Sequence, residues 1–327
     1  MHMADALLSP AVGGTMWAIS AGLVGYSVHK IRQNFDESRI PLMGVTGAFV
    51  FAMQMINFAI PGTGSSGHIA GAVLLSALLG SCPAFLVMAS VILIQALFFA
   101  DGGILAYGGN LFNIGFFGCF LAYPYVFKPI LGKSGSPFRL ALASCAACIV
   151  SMTLGALSVT IMTLVSGVTE LPFKVFAAAM IPIHLAIGLG EGLATMVVLE
   201  FVRKNLPDFQ AAKLESPGFS FRNLCWVFAL AALVIGGGIS LLASGKPDGL
   251  EWSMKQVAQT TELDAPESQL HQLSETITEK CSFLPDYEIP GTDGAWYGTV
   301  VSGIVGVLIL IGGGMLFYRK KKPATAE

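Results

Sequence analysis

Met1 and His2 are the residues whose types and spacing bear most directly on chemistry. A terminal amine, the amide nitrogen of residue 2 and the histidine ring nitrogen nearest the backbone are three donors on one short stretch. Amine and amide close a five-membered chelate ring, and amide and imidazole a six-membered one. Three nitrogens in a plane suit a tetragonal ion such as Ni(II) or Cu(II), and Co(II) less rigidly. The amide must lose its proton, so affinity is expected to fall with pH. One further donor completes the square. The site needs a free amine. The bulk of His2 is expected to keep Met1 in place. Met1-His2-Met3-Ala4-Asp5-Ala6 has neither the basic start nor the short apolar core of a signal peptide. In an arbitrary soluble protein the same two residues would be a frayed terminus.

The fourth donor must come from elsewhere, and the chain has five histidines. His68 follows Pro61-Gly62-Thr63-Gly64-Ser65-Ser66-Gly67, a glycine-rich lead-in that lets backbone and ring come close to an ion. It is the expected fourth ligand. Without Met1-His2 it would read as a helix-start residue at a membrane surface. His184 and Glu191 lie seven residues apart, close to two helical turns, so they share a face. Polar groups inside a membrane helix are expensive, which points to an ordering role behind the ligands. Gln54, Asn57, Asn110 and Asn113 are further candidates for that role, and equally for bonds between helices.

The elements that must position these residues are membrane helices. The chain has 327 residues, 54% hydrophobic and 12% charged, against roughly 25% charged in a soluble domain. Its mean hydropathy is +0.72. An all-α, polytopic membrane protein is expected. A net charge of -2 gives no ground for nucleic-acid binding. Nine spans are predicted, near 11–28, 42–60, 69–81, 83–100, 104–127, 140–166, 172–201, 224–243 and 296–318. Residues 69–100 as one helix would reach about 48 Å, beyond a hydrocarbon core of about 30 Å. Gly80-Ser81-Cys82-Pro83 is a plausible turn inside it. Two spans there also bring all four basic clusters to one side: Lys30, Arg32 and Arg39; Lys128, Lys133 and Arg139; Arg203, Lys204, Lys213 and Arg222; and Arg319 to Lys322. The N-terminus, residues 61–68, 101–103 and 245–295 then lie outside, and the C-terminus in the cytoplasm.

Two units are expected: a seven-span domain over 1–201 and, beyond a cytoplasmic linker at 202–222, a two-span accessory domain over 223–327. Residues 246–293 hold ten carboxylates and three lysines. That loop raises the local cation level, or serves only as a solvated spacer. It offers mainly oxygen donors, so truncation after Val202 is expected to slow uptake while leaving affinity nearly unchanged. Cys145-x-x-Cys148 reads as small-residue packing. Small residues also recur at four-residue spacing at Gly14, Ala18 and Gly22, and at Gly44, Ala48 and Ala52, where they let helices approach.

At these residues the chain resembles the metal-specific substrate-binding components of energy-coupling-factor (ECF) transporters for nickel and cobalt, the NikM/CbiM group. The resemblance rests on Met1-His2 with Leu7-Leu8-Ser9-Pro10, on Ser66 to Ala72, on Gln95 to Gly103, on Asn110-Leu111-Phe112-Asn113, and on His184 with Glu191-Gly192. Pro247-Asp248-Gly249-Leu250-Glu251 looks like the motif of the small two-span accessory subunit of the nickel branch (NikN-like), so the chain reads as a fusion. The group's usual Met-His-Ile-Pro-Asp-Gly start is Met-His-Met-Ala-Asp-Ala here. The resemblance implies Ni(II) or Co(II) as transported substrate, held near the outer face by the Met1 amine, His2 and His68. It implies a coupling transmembrane subunit and cytoplasmic ATPase subunits as partners in the inner membrane. No catalytic residue is expected, and Ser244-Gly245-Lys246 fails as a phosphate-binding loop. The alternatives are an ion-coupled metal carrier or channel, with His184 and Glu191 as a proton relay, and an intramembrane metalloenzyme. The enzyme would need an open coordination position that four nitrogens leave little room for.

Overall fold

Apolar runs this long can satisfy their backbone in lipid only as helices. The computed structural model describes residues 1–34, 39–133, 136–205, 221–292 and 295–317. The linker at 206–220, including Lys213, and the basic run Arg319 to Lys322 lie outside the described residues. In chain order the helices are α1 (Pro10–Asn34), α2 (Ile40–Gln54), α3 (Ala72–Leu79), α4 (Ser81–Phe98), α5 (Tyr107–Leu131), α6 (Pro137–Ser166) and α7 (Phe173–Asn205). They continue with α8 (Phe221–Gly237), α9 (Gly249–Ala258), α10 (Gln269–Cys281) and α11 (Trp296–Phe317). One antiparallel ladder pairs Phe58–Ala59 with Ser66–Gly67. Among the described residues six helices are long and apolar enough to cross a membrane: α1, α4, α5, α6, α7 and α11. The apolar α2 and α8 are shorter, at 15 and 17 residues. The chain is a multi-pass membrane protein.

The predicted span at 69–81 needs correction. Its helix, α3, has eight residues, about 12 Å, far short of a bilayer. Gly71 (φ 84°) and Gly80 (φ 87°) bound it, in backbone conformations that favour glycine. Residues 65–71 above it are buried but not helical. Buried backbone outside a helix needs partners for its polar groups, and several are present. Gly71 N–H donates to Glu191 Oε1 at 2.9 Å, Gln54 Nε2 donates to the Ala70 carbonyl at 2.8 Å, and Ser66 N–H donates to the Pro247 carbonyl at 2.8 Å. The predicted spans at 42–60 and 224–243 also overrun, since α2 stops at Gln54 and α8 at Gly237. Within α5, Leu111–Phe127 takes the wider π winding around Pro124, a local adjustment that re-satisfies backbone groups freed by proline.

Close packing explains several small residues. A Cβ on Gly192 of α7 would lie 2.4 Å from the Cys145 Cα of α6, so the Cys145-x-x-Cys148 face is a helix contact. In α2 the small-residue stripe is used within the chain: a Cβ on Gly44 would meet Gly314 of α11 at 3.1 Å, and Phe49 meets Phe228 of α8 edge-on at 5.0 Å. The α1 stripe differs, with open space beside Gly14 and Gly22. The four segments expected on one side do meet. Met1 reaches His68 and Asp248, Gly103 N–H donates to the Met3 carbonyl, and Tyr287 reaches Asp101.

Candidate metal site

The first residues fold into the protein instead of fraying. Met1 is 2% exposed and Met3 fully buried. Asn110 grips Met3 at two points: its Oδ1 accepts the Met3 N–H at 2.7 Å and its Nδ2 donates to the Met3 carbonyl at 3.0 Å. Asp5–Leu7 forms a 3-10 turn. The Asp5 carboxylate accepts from Ala106 N–H at 2.8 Å and from the Ser274 hydroxyl. His271 Nε2 lies 3.0 Å from the Leu8 carbonyl. These bonds fix the path of the first eight residues.

The Met1 amine lies 3.0 Å from His68 Nε2, and the His2 and His68 rings stack with centroids 5.3 Å apart and planes 10° apart. Amine and two imidazoles thus converge. Burial lowers the pKa of His2, against the raising effect of Asp101. Burial and then the neighbouring amine lower that of His68 well below the usual value. Both rings are therefore neutral near pH 7, with lone pairs available. His2 Nδ1 faces Asp101 Oδ1 at 3.2 Å, while His2 Nε2 is buried without a hydrogen-bond partner. Among the described residues no group of three or more His, Cys, Asp or Glu is placed to hold a metal, so a site here depends on amine and backbone nitrogens.

The remaining sequence candidates surround this point at different depths. Glu191 holds Gly71, three residues beyond His68, and its second oxygen has no partner. His184 Nδ1 is 2.8 Å from the Met180 carbonyl, and its unpartnered Nε2 faces Gly249, whose added Cβ would sit 3.1 Å away. Asn113 Nδ2 lies 3.3 Å from Met3 Sδ. Asn57 accepts Ser244 N–H through its backbone carbonyl at 2.7 Å, and its side-chain oxygen is unpartnered.

Sequence reasoning missed the contribution of the C-terminal unit and treated it as remote from the ligands. Asp248 Oδ2 is 2.5 Å from the Met1 amine, while its Oδ1 caps α9 by accepting from Leu250 and Glu251 N–H. Burial pushes the Asp248 carboxyl pKa up, but the neighbouring amine outweighs it and holds the group ionised well below the usual range. Ser66 Oγ donates to the Lys246 carbonyl and Trp252 Nε1 to the Thr63 carbonyl. A cavity of about 880 Å³ lined by both units, including His2, His68, Asp101, Asp248, Glu251 and Tyr287, leads to the site. The spacing Asp248-x-x-Glu251 is a readable capping box. The pattern signals a helix start but not that Asp248 meets the Met1 amine.

A model of the family described as the cobalt uptake substrate-specific transmembrane region (CbiM) matches residues 2–209, and one of the PDGLE domain matches residues 222–321. A putative fused nickel transport protein of Archaeoglobus fulgidus is 31% identical, over 99% of this chain and all of that protein. A cobalt transport protein of Sorangium cellulosum is 30% identical over 64% of this chain and 93% of its own length. The crystal structure of a truncated transition metal transporter superposes with a TM-score of 0.55 at 27% identity, covering 62% of this chain and 99% of that one. With the first model spanning well over half its length, this chain belongs to the CbiM cobalt-uptake transmembrane family and carries a PDGLE domain behind that region.

Proposed function

We propose that this chain is the capture subunit of an ATP-driven ECF importer for Ni(II) or Co(II). Its membership of a nickel and cobalt transport family supports the cargo. The observation that carries the binding mode is the meeting of the Met1 amine with His68 Nε2 at 3.0 Å beside the stacked His2 ring. In this reading the amine, the His2 amide, the His2 ring and His68 supply four nitrogens, and proton loss from amine and amide accompanies binding. The four-nitrogen plane favours nickel over cobalt. The carboxylates along the cavity draw cations toward it. Residues 61–68, 101–103 and 245–295 face outward, and the C-terminus the cytoplasm, in a cytoplasmic membrane. ATP hydrolysis and the coupling membrane subunit reside on separate chains.

His2→Ala removes the imidazole donor and with it the six-membered chelate ring, leaving the amide nitrogen of residue 2. Equilibrium dialysis with Ni(II) is expected to show loss of binding with the fold retained; affinity within a few fold of the parent rejects this site. In sealed vesicles, metal uptake by the chain alone, driven by an ion gradient, would favour the carrier alternative.

A further inference from the structure

The His2 ring is held by groups that the four-nitrogen reading does not use. Asp101 Oδ1 lies 3.2 Å from His2 Nδ1, and its Oδ2 accepts the Tyr287 hydroxyl at 2.6 Å. Gln95 Nε2 donates to the Tyr287 oxygen at 3.3 Å, and the Gln95 side chain also lies against His2. Two atoms are left over in this buried cluster: His2 Nε2 and Gln95 Oε1. One is a ring nitrogen and the other an acceptor.

Tyr287 comes from the C-terminal unit and reaches Asp101 through an unusual turn. Asp286 (φ 52°) and Tyr287 (φ 61°) are consecutive non-glycine residues in the left-handed region, as is Ala100 (φ 55°), the neighbour of Asp101. Such conformations persist only where surrounding contacts over-determine them. Here Leu284 and Asp286 N–H donate to the Phe98 and Phe99 carbonyls, and the Tyr287 ring stacks on Phe99 at 4.9 Å.

We propose that Asp101, Gln95 and Tyr287 are positioning residues that seat the His2 imidazole, so that the C-terminal unit sets the geometry of a site whose ligands all lie in the N-terminal one. This rests on the four-nitrogen reading above. A six-membered chelate requires His2 Nδ1 on the ion and the proton on Nε2. A half-turn of the ring about Cβ–Cγ exchanges Nδ1 with Cδ2 and Cε1 with Nε2, which takes Nδ1 off Asp101 and puts Nε2 on the Asp101 side. Nε2–H then has the Asp101 carboxylate as acceptor, and the unpartnered ring nitrogen gains a role. A carboxylate or amide behind a ligating histidine fixes its tautomer and orientation.

The test uses the full-length protein in detergent with Ni(II) as probe. Affinity comes from dialysis and coordination geometry from the visible ligand-field band. Asp101→Asn is expected to weaken binding about 10–100-fold and shift the band. Tyr287→Phe keeps the ring stack and loses one oxygen; it is expected to cause a smaller loss with a shift in the same direction. Because Tyr287 acts through Asp101, the double variant is expected to bind no more weakly than Asp101→Asn alone. Affinity within twofold of the parent and an unshifted band in both single variants would overturn the inference, as would losses that multiply in the double variant. Should Asp101→Asn lose its metal-free melting transition, the Tyr287→Phe band decides. His2→Ala separates the two readings. Retained binding there rejects the four-nitrogen site itself; lost binding beside unaffected Asp101 and Tyr287 variants rejects only the seat.

Discussion

A primary amine binds a metal only when it is unprotonated and close enough to its co-ligands. The Met1 amine is fixed between His68 and Asp248, in a pocket where residue 1 is 2% exposed. Adding several uncleaved residues before Met1 moves the amine out of its five-membered ring while leaving every side chain in the sequence. Such an extension is expected to behave as a ligand deletion in nickel dialysis, and normal affinity would point to an internal site. The histidines give a second expectation. Their folded pKa values lie below the usual 6.5, so the unfolded chain binds more protons once pH drops under about 6.5. Stability from keeping the rings neutral is complete above that value and is lost as pH falls toward the lower folded pKa values. Melting of the metal-free protein should therefore decline more steeply from pH 7 to 5 in the parent than in His68→Ala. Asp248 acts with the opposite charge but the same sign: its contribution is present above the usual carboxylate pKa and is lost only in stronger acid.

At the scale of elements, α3 shows what the sequence conveys and what it hides. The break near Gly80 was legible because a single helix over 69–100 is too long for a bilayer. The shortness of α3 was not, since Ile69-Ala70 continues the apolar run that α3 begins, although residues 65–71 are not helical. Their pairing partners, Gln54, Glu191 and Pro247, lie 16 to 181 residues away. Gly71 is the tightest point, where a Cβ would meet Val50 Cγ1 at 2.4 Å with φ at 84°. Gly71→Ala is expected to cost roughly 2–5 kcal/mol from the left-handed backbone and overpacking together, read as a lowered melting temperature. Gly14→Ala on the open face of α1, with nothing within 4 Å, should leave melting unchanged or slightly raised. Equal effects of the two substitutions would contradict this account of α3.

Across the whole molecule, Met1, His2 and His68 were identifiable as candidates because each belongs to a local pattern, a chelating start or a glycine-rich lead-in. Asp248, Asp101 and Tyr287 were not, since the contacts that matter join residues 186 and 247 positions apart and leave no periodic trace. That omission changes the expected result of truncation. With the C-terminal unit docked through Ser66, Trp252 and Asp248, a chain ending after Val202 is expected to bind nickel at least about tenfold more weakly, as loss of a ligand-supporting shell generally does. Stopped-flow measurement on that chain should show faster dissociation. Parental affinity and off-rate would return the unit to the role of a separate delivery arm.

The ion pair between Met1 and Asp248 also makes the chemical state of the first amine a condition for closing this corner of the fold. A nascent chain that starts with formylmethionine, or one that is later acetylated, has no basic nitrogen at that point and cannot pair with Asp248. Intact-mass spectrometry of poorly binding preparations should find the excess of a formyl or acetyl group on residue 1 in proportion to the missing nickel.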